Sequence, residues 1–361
     1  MKILIESSPL LGASGSRGIG TYTQELIIAL RQLDTGKEPL LVQATHELGH
    51  LPDAPEEQFD LIHYPYFDFF FDTLPPQHKL PSVVMVHDAI PLLFPRQYPP
   101  GIKGKLRFWK QRKALKNATL VLTNSEVSKQ DIQQHLQISP EKVRSIYLAG
   151  SSAIKPVSDS KRAEARKLLK LPDKYLVYVG DINYNKNLPM LLVVLTQLPK
   201  SVHLCVVSRA FNNIEIPEGQ LLAKTVADNE IQDRVHVLDI PKDQPELLSG
   251  VLQESLCLVQ PSLYEGFGMP IIEAMQAGTV VVSTDTGSLP EVAGTAAILC
   301  EPKINSMTEA LLEAIRLDPQ QRKERIAAGK KNAQRFSWEK TAQQTYQAYK
   351  DAIESWKYSQ Q

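Results

Sequence analysis

Residues 256–278 read LCLVQPSLYEGFGMPIIEAMQAG and combine the parts of one structural unit. The apolar run 256–260 is typical of a buried strand. Gly266 and Gly268 then allow the backbone to approach a ligand, and Pro270 suits the first turn of a helix. A strand that leads through a short loop into a helix is the repeating unit of parallel α/β sheets.

The same alternation of short apolar runs and helical patterns continues along almost all of the 361 residues. It predicts an α/β fold with doubly wound parallel sheets, and the length suits two domains. The small, polar, proline-containing segment 149–160 is the predicted linker. We expect one domain over residues 1–155 and a second over 156–336. Ligands would bind beyond the carboxyl ends of the strands, in a cleft where these ends face each other.

Helices are predicted where apolar residues recur at helical spacing, over 21–33 and 103–116 in the first half. Ser125 is expected to cap a helix over 126–136. A last long helix is predicted from Trp338 onward. We expect the segment 337–361 to cross back to the N-terminal domain.

The charge balance excludes a strong basic field, because the chain carries 40 Lys and Arg against 40 Asp and Glu. A nucleic-acid partner is therefore not expected. The longest uncharged stretch, 187–199, is shorter than the roughly 20 residues of a membrane-spanning helix, and the first strand begins too early to leave room for a signal peptide. Three cysteines without a CxxC pair favour buried thiols in a reducing compartment. These features together predict a cytoplasmic protein.

Glu265 and Glu273 are the polar residues most informative about function. Glu265 is predicted in the loop after the strand 256–260, and Glu273 in the opening turn of the following helix. A helix N-terminus presents unpaired N–H groups and a partial positive charge, which suits a phosphate. Carboxylates beside it can accept hydrogen bonds from sugar hydroxyls. The alternative is that the two glutamates only stabilise the start of the helix.

The spacing of Glu265 and Glu273 resembles the Glu-x7-Glu motif of glycosyltransferase family 4, whose members are retaining enzymes with the GT-B fold and nucleotide-sugar donors. The likeness extends along nearly all of the chain. Five further segments resemble family motifs in the family's order: residues 17–26, 87–91, 124–132, 180–187 and 336–340. The resemblance implies two Rossmann-like domains, with the donor mainly in the second and the acceptor mainly in the first.

For the second domain, the resemblance implies that Glu273 binds the ribose hydroxyls of the donor and Glu265 the hydroxyls of the transferred sugar. Lys186 would neutralise the diphosphate, as a compact cation suited to phosphate. The backbone N–H groups expected to face the diphosphate are those of Phe267, Gly268 and Met269.

For the first domain, the resemblance implies that Gly18 and Gly20 let the backbone approach the donor. His87 would contact the sugar near the reacting carbon through a hydrogen bond to a hydroxyl. Structural roles are the alternatives, His87 being a buried histidine and Lys186 a solvated lysine.

Two positions depart from the family pattern. Asp181 stands where the family commonly has an arginine, and Asn185 stands where a basic residue often precedes the lysine. Neutralisation of the phosphates would then depend on Lys186 and helix N–H groups, with Arg209 as an additional candidate. Because the sequence contains no Asp-x-Asp triplet, we expect no catalytic metal, and no cofactor besides the nucleotide-sugar substrate.

The predicted reaction is transfer of a hexose with retention to a hydroxyl of a glycan, glycolipid or small acceptor. The stretch 87–95 resembles mannosyltransferase members of the family, so GDP-mannose is the first candidate donor and UDP-glucose the second. No nucleophile is clearly positioned on the opposite face of the sugar, which favours front-face attack with the departing phosphate assisting deprotonation. The alternatives are a sugar-nucleotide epimerase and a binding protein. A nicotinamide-dependent oxidoreductase is disfavoured because residues 18–23 lack the last glycine of G-x-G-x-x-G.

Two further segments have open interpretations. Residues 103–116 carry seven basic side chains and no acidic one, which suits peripheral association with an anionic membrane or a solvated cationic face. Residues 64–72 are strongly aromatic. Tyr66 and Phe67 are the candidates for stacking on an acceptor sugar, and packing beneath a loop is the alternative.

Overall fold

The computed structural model describes residues 1–11, 18–36, 39–45, 58–241 and 243–360. Arg17, which opens the predicted glycine motif, lies outside these residues. The chain forms two compact units. Unit 1 comprises Met1–Ala149 and Phe336–Gln361, and unit 2 comprises Gly150–Arg335.

Unit 1 contains a six-stranded parallel sheet in the order β2-β1-β3-β4-β5-β6. Its strands are β1 Lys2–Ile5, β2 Leu41–Ala44, β3 Leu61–Tyr64, β4 Ser82–Met85, β5 Leu120–Thr123 and β6 Val143–Ser145. Its helices are α1 Gly18–Arg31, α2 Ile90–Leu93, α3 Gly101–Asn117, α4 Glu126–Leu136 and the C-terminal helix Trp338–Ser359. The prediction of a parallel α/β unit is confirmed.

The local signals that begin two of these helices act as predicted. The Ser125 hydroxyl accepts a hydrogen bond of 3.0 Å from the Ser128 amide at the start of α4. The C-terminal helix begins at Trp338, where Ser337 provides the cap. By contrast, α1 begins at Gly18 rather than at residue 21, so Gly18 and Gly20 lie within its first turn and not in a loop before it. Glycine can adopt helical dihedral angles, and the free-energy penalty that it imposes on a helix is lowest where the helix starts.

The C-terminal helix is anchored in unit 1 by a buried aromatic cluster. Tyr349 forms a hydrogen bond of 2.7 Å with His63 on β3. Tyr22 of α1 lies between these elements, with its ring centroid 6.3 Å from that of Trp338 and 5.0 Å from that of His87. The end of the chain therefore contributes to the core of the unit that contains its beginning.

Unit 2 contains the second six-stranded parallel sheet, in the order β12-β11-β10-β7-β8-β9. Its strands are β7 Tyr175–Val179, β8 His203–Val207, β9 Val235–Val237, β10 Cys257–Gln260, β11 Val281–Thr284 and β12 Ile298–Cys300. Its helices are α5 Asp159–Leu168, α6 Leu188–Gln197, α7 Pro217–Asp228, α8 Pro245–Glu254, α9 Met269–Ala277, α10 Leu289–Ala293, α11 Ile304–Arg316 and α12 Pro319–Ala333. Because β7 and β10 are neighbours, the loops that follow them meet at one edge of the sheet.

The first change of unit falls between Ala149 and Gly150, at the start of the predicted linker. The residues that follow belong to unit 2 because their amides donate to its side chains. Lys155 N donates to Ser249 Oγ at 3.4 Å and Val157 N to Gln253 Oε1 at 2.6 Å.

Candidate active site

Lys186 and Glu265 form an ion pair at the carboxyl edge of the sheet of unit 2. Lys186 ends a single 3-10 turn after β7, and Glu265 lies in the loop after the adjacent strand β10. The ammonium group donates to both carboxylate oxygens, at 2.7 and 2.8 Å. The side chains are only 20% and 8% exposed. The structure thus brings two of the predicted site residues into direct contact.

The carboxylate of Glu265 is fixed by two further donors. Gln260 Nε2 donates to Glu265 Oε1 at 2.9 Å, and the Ser262 hydroxyl donates to the same oxygen at 2.7 Å. Gln260 Nε2 also lies 3.0 Å from Ser262 Oγ. A buried carboxylate requires such partners, because desolvation otherwise disfavours its charged form. The network holds Glu265 in one orientation with its charge balanced by Lys186.

The loops after β7 and β10 are joined by hydrogen bonds that involve Asn185. Its carbonyl accepts from Leu263 N at 2.7 Å, and its side-chain amide donates to Tyr264 O at 3.0 Å. Asn185 is buried. Asn185 thus connects the two loops that carry Lys186 and Glu265.

The helix α9 begins directly after this loop, and Gly268 makes the turn into it. Gly268 has φ +102°, and a Cβ at this position would lie 2.9 Å from Leu289 Cδ2. The Ser288 hydroxyl lies 3.0 and 2.9 Å from the carbonyl oxygens of Glu265 and Phe267, which supports the loop from beneath. The first amides of a helix have no intrahelical acceptor, so the N–H groups near Met269 can bind an anion.

Glu273 lies in the second turn of α9, because the helix begins at Met269. The prediction that it falls in the opening turn is wrong by one residue, because that turn comprises residues 269–272 and contains Pro270, as predicted. Its carboxylate accepts a hydrogen bond of 3.1 Å from Ser151 N. This contact with the chain after Gly150 fixes the side chain toward the first residues of unit 2.

The two other charged candidates of unit 2 lie at the same edge of the sheet. Asp181 follows β7, and its carbonyl oxygen accepts a hydrogen bond from the Tyr178 hydroxyl. Arg209 follows β8 and is exposed.

His87 follows β4 at the carboxyl edge of the sheet of unit 1. Its Nε2–H donates to Pro65 O at 3.0 Å, which leaves Nδ1 as an acceptor in the neutral ring. Burial lowers the pKa of His87 to about 4, although the hydrogen bond to Pro65 opposes this shift. At neutral pH the ring is therefore uncharged and suited to accept a hydrogen bond from a hydroxyl.

Tyr66 and Phe67 follow β3 at the same edge but differ in their surroundings. The Tyr66 hydroxyl donates to Asp68 Oδ2 at 2.6 Å, and its side chain is half-buried. Phe67 is buried in the core of unit 1, with its ring centroid 5.3 Å from that of Phe69. The position of Phe67 favours the packing alternative for that ring, while Tyr66 stays a candidate contact for an acceptor.

Three residues around the site were not identified from the sequence: Gln260, Ser262 and Ser151. Gln260 offered a signal, because it is a polar residue at the end of an otherwise apolar run that predicts a buried strand. Ser262 acts through its hydroxyl and Ser151 through its backbone amide. The residue type serine gives little indication of either role.

The described residues offer neither a metal site nor a reactive thiol. Among the described residues, no group of three or more His, Cys, Asp or Glu side chains could hold a metal ion. Burial raises the pKa values of Cys205 and Cys257 to about 12, which suppresses their thiolate forms. In the part of the chain that the structure describes, no helix has the length and hydropathy needed to span a bilayer.

Two family profiles match the chain over most of its length. Residues 159–332 match the group 1 glycosyl transferases, and residues 50–149 match glycosyltransferase family 4. A curated relative is the O-antigen chain mannosyltransferase B of Escherichia coli, which is 28% identical over 87% of this chain and 81% of its own. The serotype-specific mannosyltransferase WbdA of the same species is 22% identical over 91% of this chain and 40% of its own.

Solved structures with the same architecture cover nearly the whole chain. Sucrose-phosphate synthase of Thermosynechococcus elongatus superimposes with a TM-score of 0.74 at 19% identity, covering 98% of this chain and 100% of its own. Anabaena HepE in complex with UDP-glucose gives a TM-score of 0.72 at 20% identity, covering 97% of this chain and 100% of its own. The paired parallel sheets and both profile matches lead to one assignment: this chain belongs to the group 1 glycosyltransferases of family 4 and has the GT-B fold.

Proposed function

We propose that the protein transfers mannose from GDP-mannose to a hydroxyl group of a glycan or lipid-linked acceptor, with retention of the anomeric configuration. The likeness to the O-antigen chain mannosyltransferase B supports mannose as the sugar. The family resemblance of the motifs supports a nucleotide-sugar donor and retention. The observation that carries the proposal is the contact between Lys186 and Glu265 beside the start of α9.

The leaving diphosphate is the group that needs stabilisation. When the bond from the anomeric carbon to the phosphate oxygen breaks, negative charge accumulates on the diphosphate. In our proposal the N–H groups at the start of α9 and the Lys186 ammonium bind this charge, because preorganised dipoles and cations are most effective there. Glu265, oriented by Gln260 and Ser262, accepts hydrogen bonds from the hydroxyls of the transferred sugar.

The remaining predicted contacts have complementary roles in this proposal. Glu273 accepts hydrogen bonds from the ribose hydroxyls. His87 accepts a hydrogen bond from a sugar hydroxyl through Nδ1, since its Nε2–H is committed to Pro65. The acceptor oxygen attacks the anomeric carbon on the face from which the diphosphate departs. Its proton passes to a phosphate oxygen, so the products are the α-linked glycoside and protonated GDP.

A transfer assay with a panel of sugar nucleotides tests this function. We expect transfer from GDP-mannose to a mannose-terminated acceptor, with an α-linked product by nuclear magnetic resonance and an unchanged rate in the presence of EDTA. Transfer from UDP-glucose alone would replace the proposed donor. Conversion of the donor to its epimer without transfer, or a β-linked product, would overturn the proposal.

We further propose that the protein works at the cytoplasmic face of a membrane, where a lipid-linked acceptor would be presented. The cationic segment 103–116 supports this location, because anionic lipids attract clustered Lys and Arg side chains.

A further inference from the structure

Asn124 lies directly after β5, at the carboxyl edge of the sheet of unit 1. β5 pairs in parallel with β4, and Met85 is the register partner of Leu122. A hydrogen bond of 2.9 Å from Val86 N to Leu122 O continues this pairing toward the end of both strands. His87 and Asn124 each follow two residues after this register pair, so they lie side by side where the strands end. Asn124 is therefore a neighbour of the histidine in the proposed site.

The side chain of Asn124 is buried without a hydrogen-bond partner. The residue is 4% exposed, and its Oδ1 accepts no hydrogen bond from the residues that the structure describes. Leaving a buried amide unsatisfied costs stability, and native structures contain few such groups. The unsatisfied hydroxyls of Ser82 and Thr123 belong to residues within strands. Asn124 instead lies beyond its strand, at the edge of the sheet where parallel α/β domains bind their ligands.

The local backbone does not require an asparagine at this position. Asparagine is common in turns because it tolerates positive φ and because its Oδ1 can accept from a nearby backbone amide. Asn124 is not among the described residues with positive φ, and its Oδ1 is unbonded. The cap of α4 is provided by the next residue, since the Ser125 hydroxyl accepts from Ser128 N at 3.0 Å. The usual structural reasons for an asparagine are therefore absent.

The chemistry of a carboxamide suits a sugar hydroxyl. The side chain of Asn124 is uncharged, donates through Nδ2 and accepts through Oδ1, and a hydroxyl can both donate and accept in return. Phosphates are better bound by cations and by the N–H groups at the start of a helix. A carboxamide at the edge of the sheet is therefore better suited to a hexose than to a diphosphate.

We infer that Asn124 binds a hydroxyl of the hexose that lies beside His87 and selects against sugars that lack this hydroxyl. The inference rests on the proposed function, because it takes the ligand from the two sugar substrates of the transfer reaction. The hydroxyl belongs to the transferred hexose or to the acceptor, and the chemistry of recognition is the same for both. Without substrate the amide stays unpaired, so the residue provides specificity at the expense of stability.

The variants N124A and N124L separate this role from a structural one. Both remove an unpaired amide from the interior; leucine keeps the branch at Cγ, and alanine avoids overpacking. We expect at least one of them to unfold at the wild-type midpoint or above it. Both should lower kcat/KM for transfer by about tenfold or more, because a substrate hydroxyl loses its partner. Lower unfolding midpoints for both variants, with kcat/KM unchanged, would show a structural asparagine and overturn the inference.

The matched control is N332A, because Asn332 is an asparagine whose side chain is bonded within unit 2. Its Nδ2 donates to Val292 O at 2.9 Å, and its Oδ1 accepts from Arg335 Nη1 at 2.8 Å. N332A should lower the unfolding midpoint and leave kcat/KM of the folded protein unchanged. Equal losses of kcat/KM in N124A and N332A would show that activity merely follows stability, which would overturn the inference.

Monodeoxy substrates identify which hexose Asn124 binds. One arm pairs monodeoxy derivatives of GDP-mannose with methyl α-mannoside as the acceptor, and the other pairs GDP-mannose with monodeoxy derivatives of methyl α-mannoside. Removal of the recognised hydroxyl should slow the wild type about tenfold and leave N124A nearly unaffected, because its contact is already absent. Such coupling in the donor arm assigns the transferred hexose, and coupling in the acceptor arm assigns the acceptor.

The same assay distinguishes failure of the inference from failure of the proposed function. Transfer by the wild type without coupling to N124A in either arm would overturn the inference alone and would leave the transferase function intact. A wild type that transfers no hexose from any sugar nucleotide would overturn the proposed function and this inference with it.

Discussion

The ion pair between Lys186 and Glu265 ties the stability of unit 2 to its proposed site. Removing one partner of a buried pair leaves an uncompensated charge, which costs more than the pair contributes. We expect K186A to lower the free energy of unfolding by about 2 kcal/mol and the neutral pair K186M/E265Q to recover most of this loss. Both variants should have lost transfer activity. Chemical denaturation followed by circular dichroism measures the difference.

The exposed pair Lys224–Asp228 on α7 provides the matched control, with N···O 2.7 Å and side chains that are 71% and 57% exposed. K224A should change stability by less than 1 kcal/mol, as is usual for exposed pairs, and should leave transfer intact. Equal free energies of unfolding for K186A and K224A would contradict the claim that Lys186 and Glu265 form a buried ion pair.

His63 and His87, two histidines of unit 1, predict a dependence of stability on pH. Burial lowers the pKa of His87 to about 4, and burial together with the neighbouring His87 lowers that of His63 to about 3. Between these values and the ordinary value of about 6.5, the unfolded chain binds protons that the folded protein does not. The free energy of unfolding therefore decreases as the pH falls from 6.5 toward 4.

H87Q should reduce this acid-induced loss by about 2 kcal/mol, because one of the two titrating groups is removed. Thermal unfolding of H87Q and the wild type at a series of pH values measures it. Parallel pH profiles for the two proteins would show that His87 is not buried in its neutral form.

At the scale of elements, the entry into α9 depends on one glycine. A side chain at Gly268 would require the left-handed conformation and would contact the buried Leu289. We expect G268A to destabilise the protein by about 2 kcal/mol and to weaken donor binding, because it moves the N–H groups at the start of α9. Thermal denaturation and titration with GDP measure both effects.

Gly36 is the control for backbone strain alone. It also has positive φ, +68°, but no atom of the residues that the structure describes lies within 4 Å of its Cβ position. G36A should cost about 1 kcal/mol and leave donor binding unchanged. Equal changes in stability and donor binding for G268A and G36A would contradict the claim that the restricted space around Gly268 matters.

Strong local signals predicted most elements, and weak ones explain the exceptions. The strand 256–260 and the long amphipathic helix from Trp338 have clear periodicity, and the structure confirms both. Helix α5, Asp159–Leu168, is not predicted from the sequence, and its first two residues fall in the predicted linker. Its sequence is mostly polar, and the structure buries only Ala165. Its start is set by Ser158, whose side chain accepts from Lys161 N. A capping serine that is not followed by apolar residues at helical spacing is too weak a signal to predict a helix.

At the scale of the molecule, the C-terminal helix completes unit 1 through contacts distant in sequence. Tyr349 is fully buried and forms a hydrogen bond with His63, which lies 286 residues earlier in the chain. Y349A should therefore destabilise unit 1 by about 3 kcal/mol. All three tryptophans lie in this unit, so the midpoint of a denaturation curve followed by tryptophan fluorescence reports the loss.

Y346A is a suitable control, because the neighbouring Tyr346 on the same helix is partly exposed and contacts Lys350. It should shift the midpoint far less than Y349A. Similar shifts would show that the helix is held by many weak contacts rather than by the buried cluster.

The residues of the candidate site could be predicted where a sequence motif follows a predicted strand. Contacts between residues distant in sequence could not be predicted. Glu265, Lys186 and His87 could be placed after strands from the order of elements alone. The sequence could not show that Lys186 binds Glu265 directly. This contact requires β7 and β10 to be neighbours, although 77 residues lie between the end of β7 at Val179 and the start of β10 at Cys257. The burial of Phe67 was likewise undetermined, since an aromatic run has the same composition in a core and at a surface.

The central claim is that Lys186, held by Glu265 beside the start of α9, binds the donor diphosphate, and isothermal titration with GDP tests it most directly. The account predicts that K186A/E265Q binds GDP about 10- to 100-fold more weakly than the wild type, because a charge-assisted contact to the diphosphate is lost. The exposed-pair variant K224A/D228N should bind like the wild type. Equal affinity of K186A/E265Q and the wild type for GDP would contradict the account.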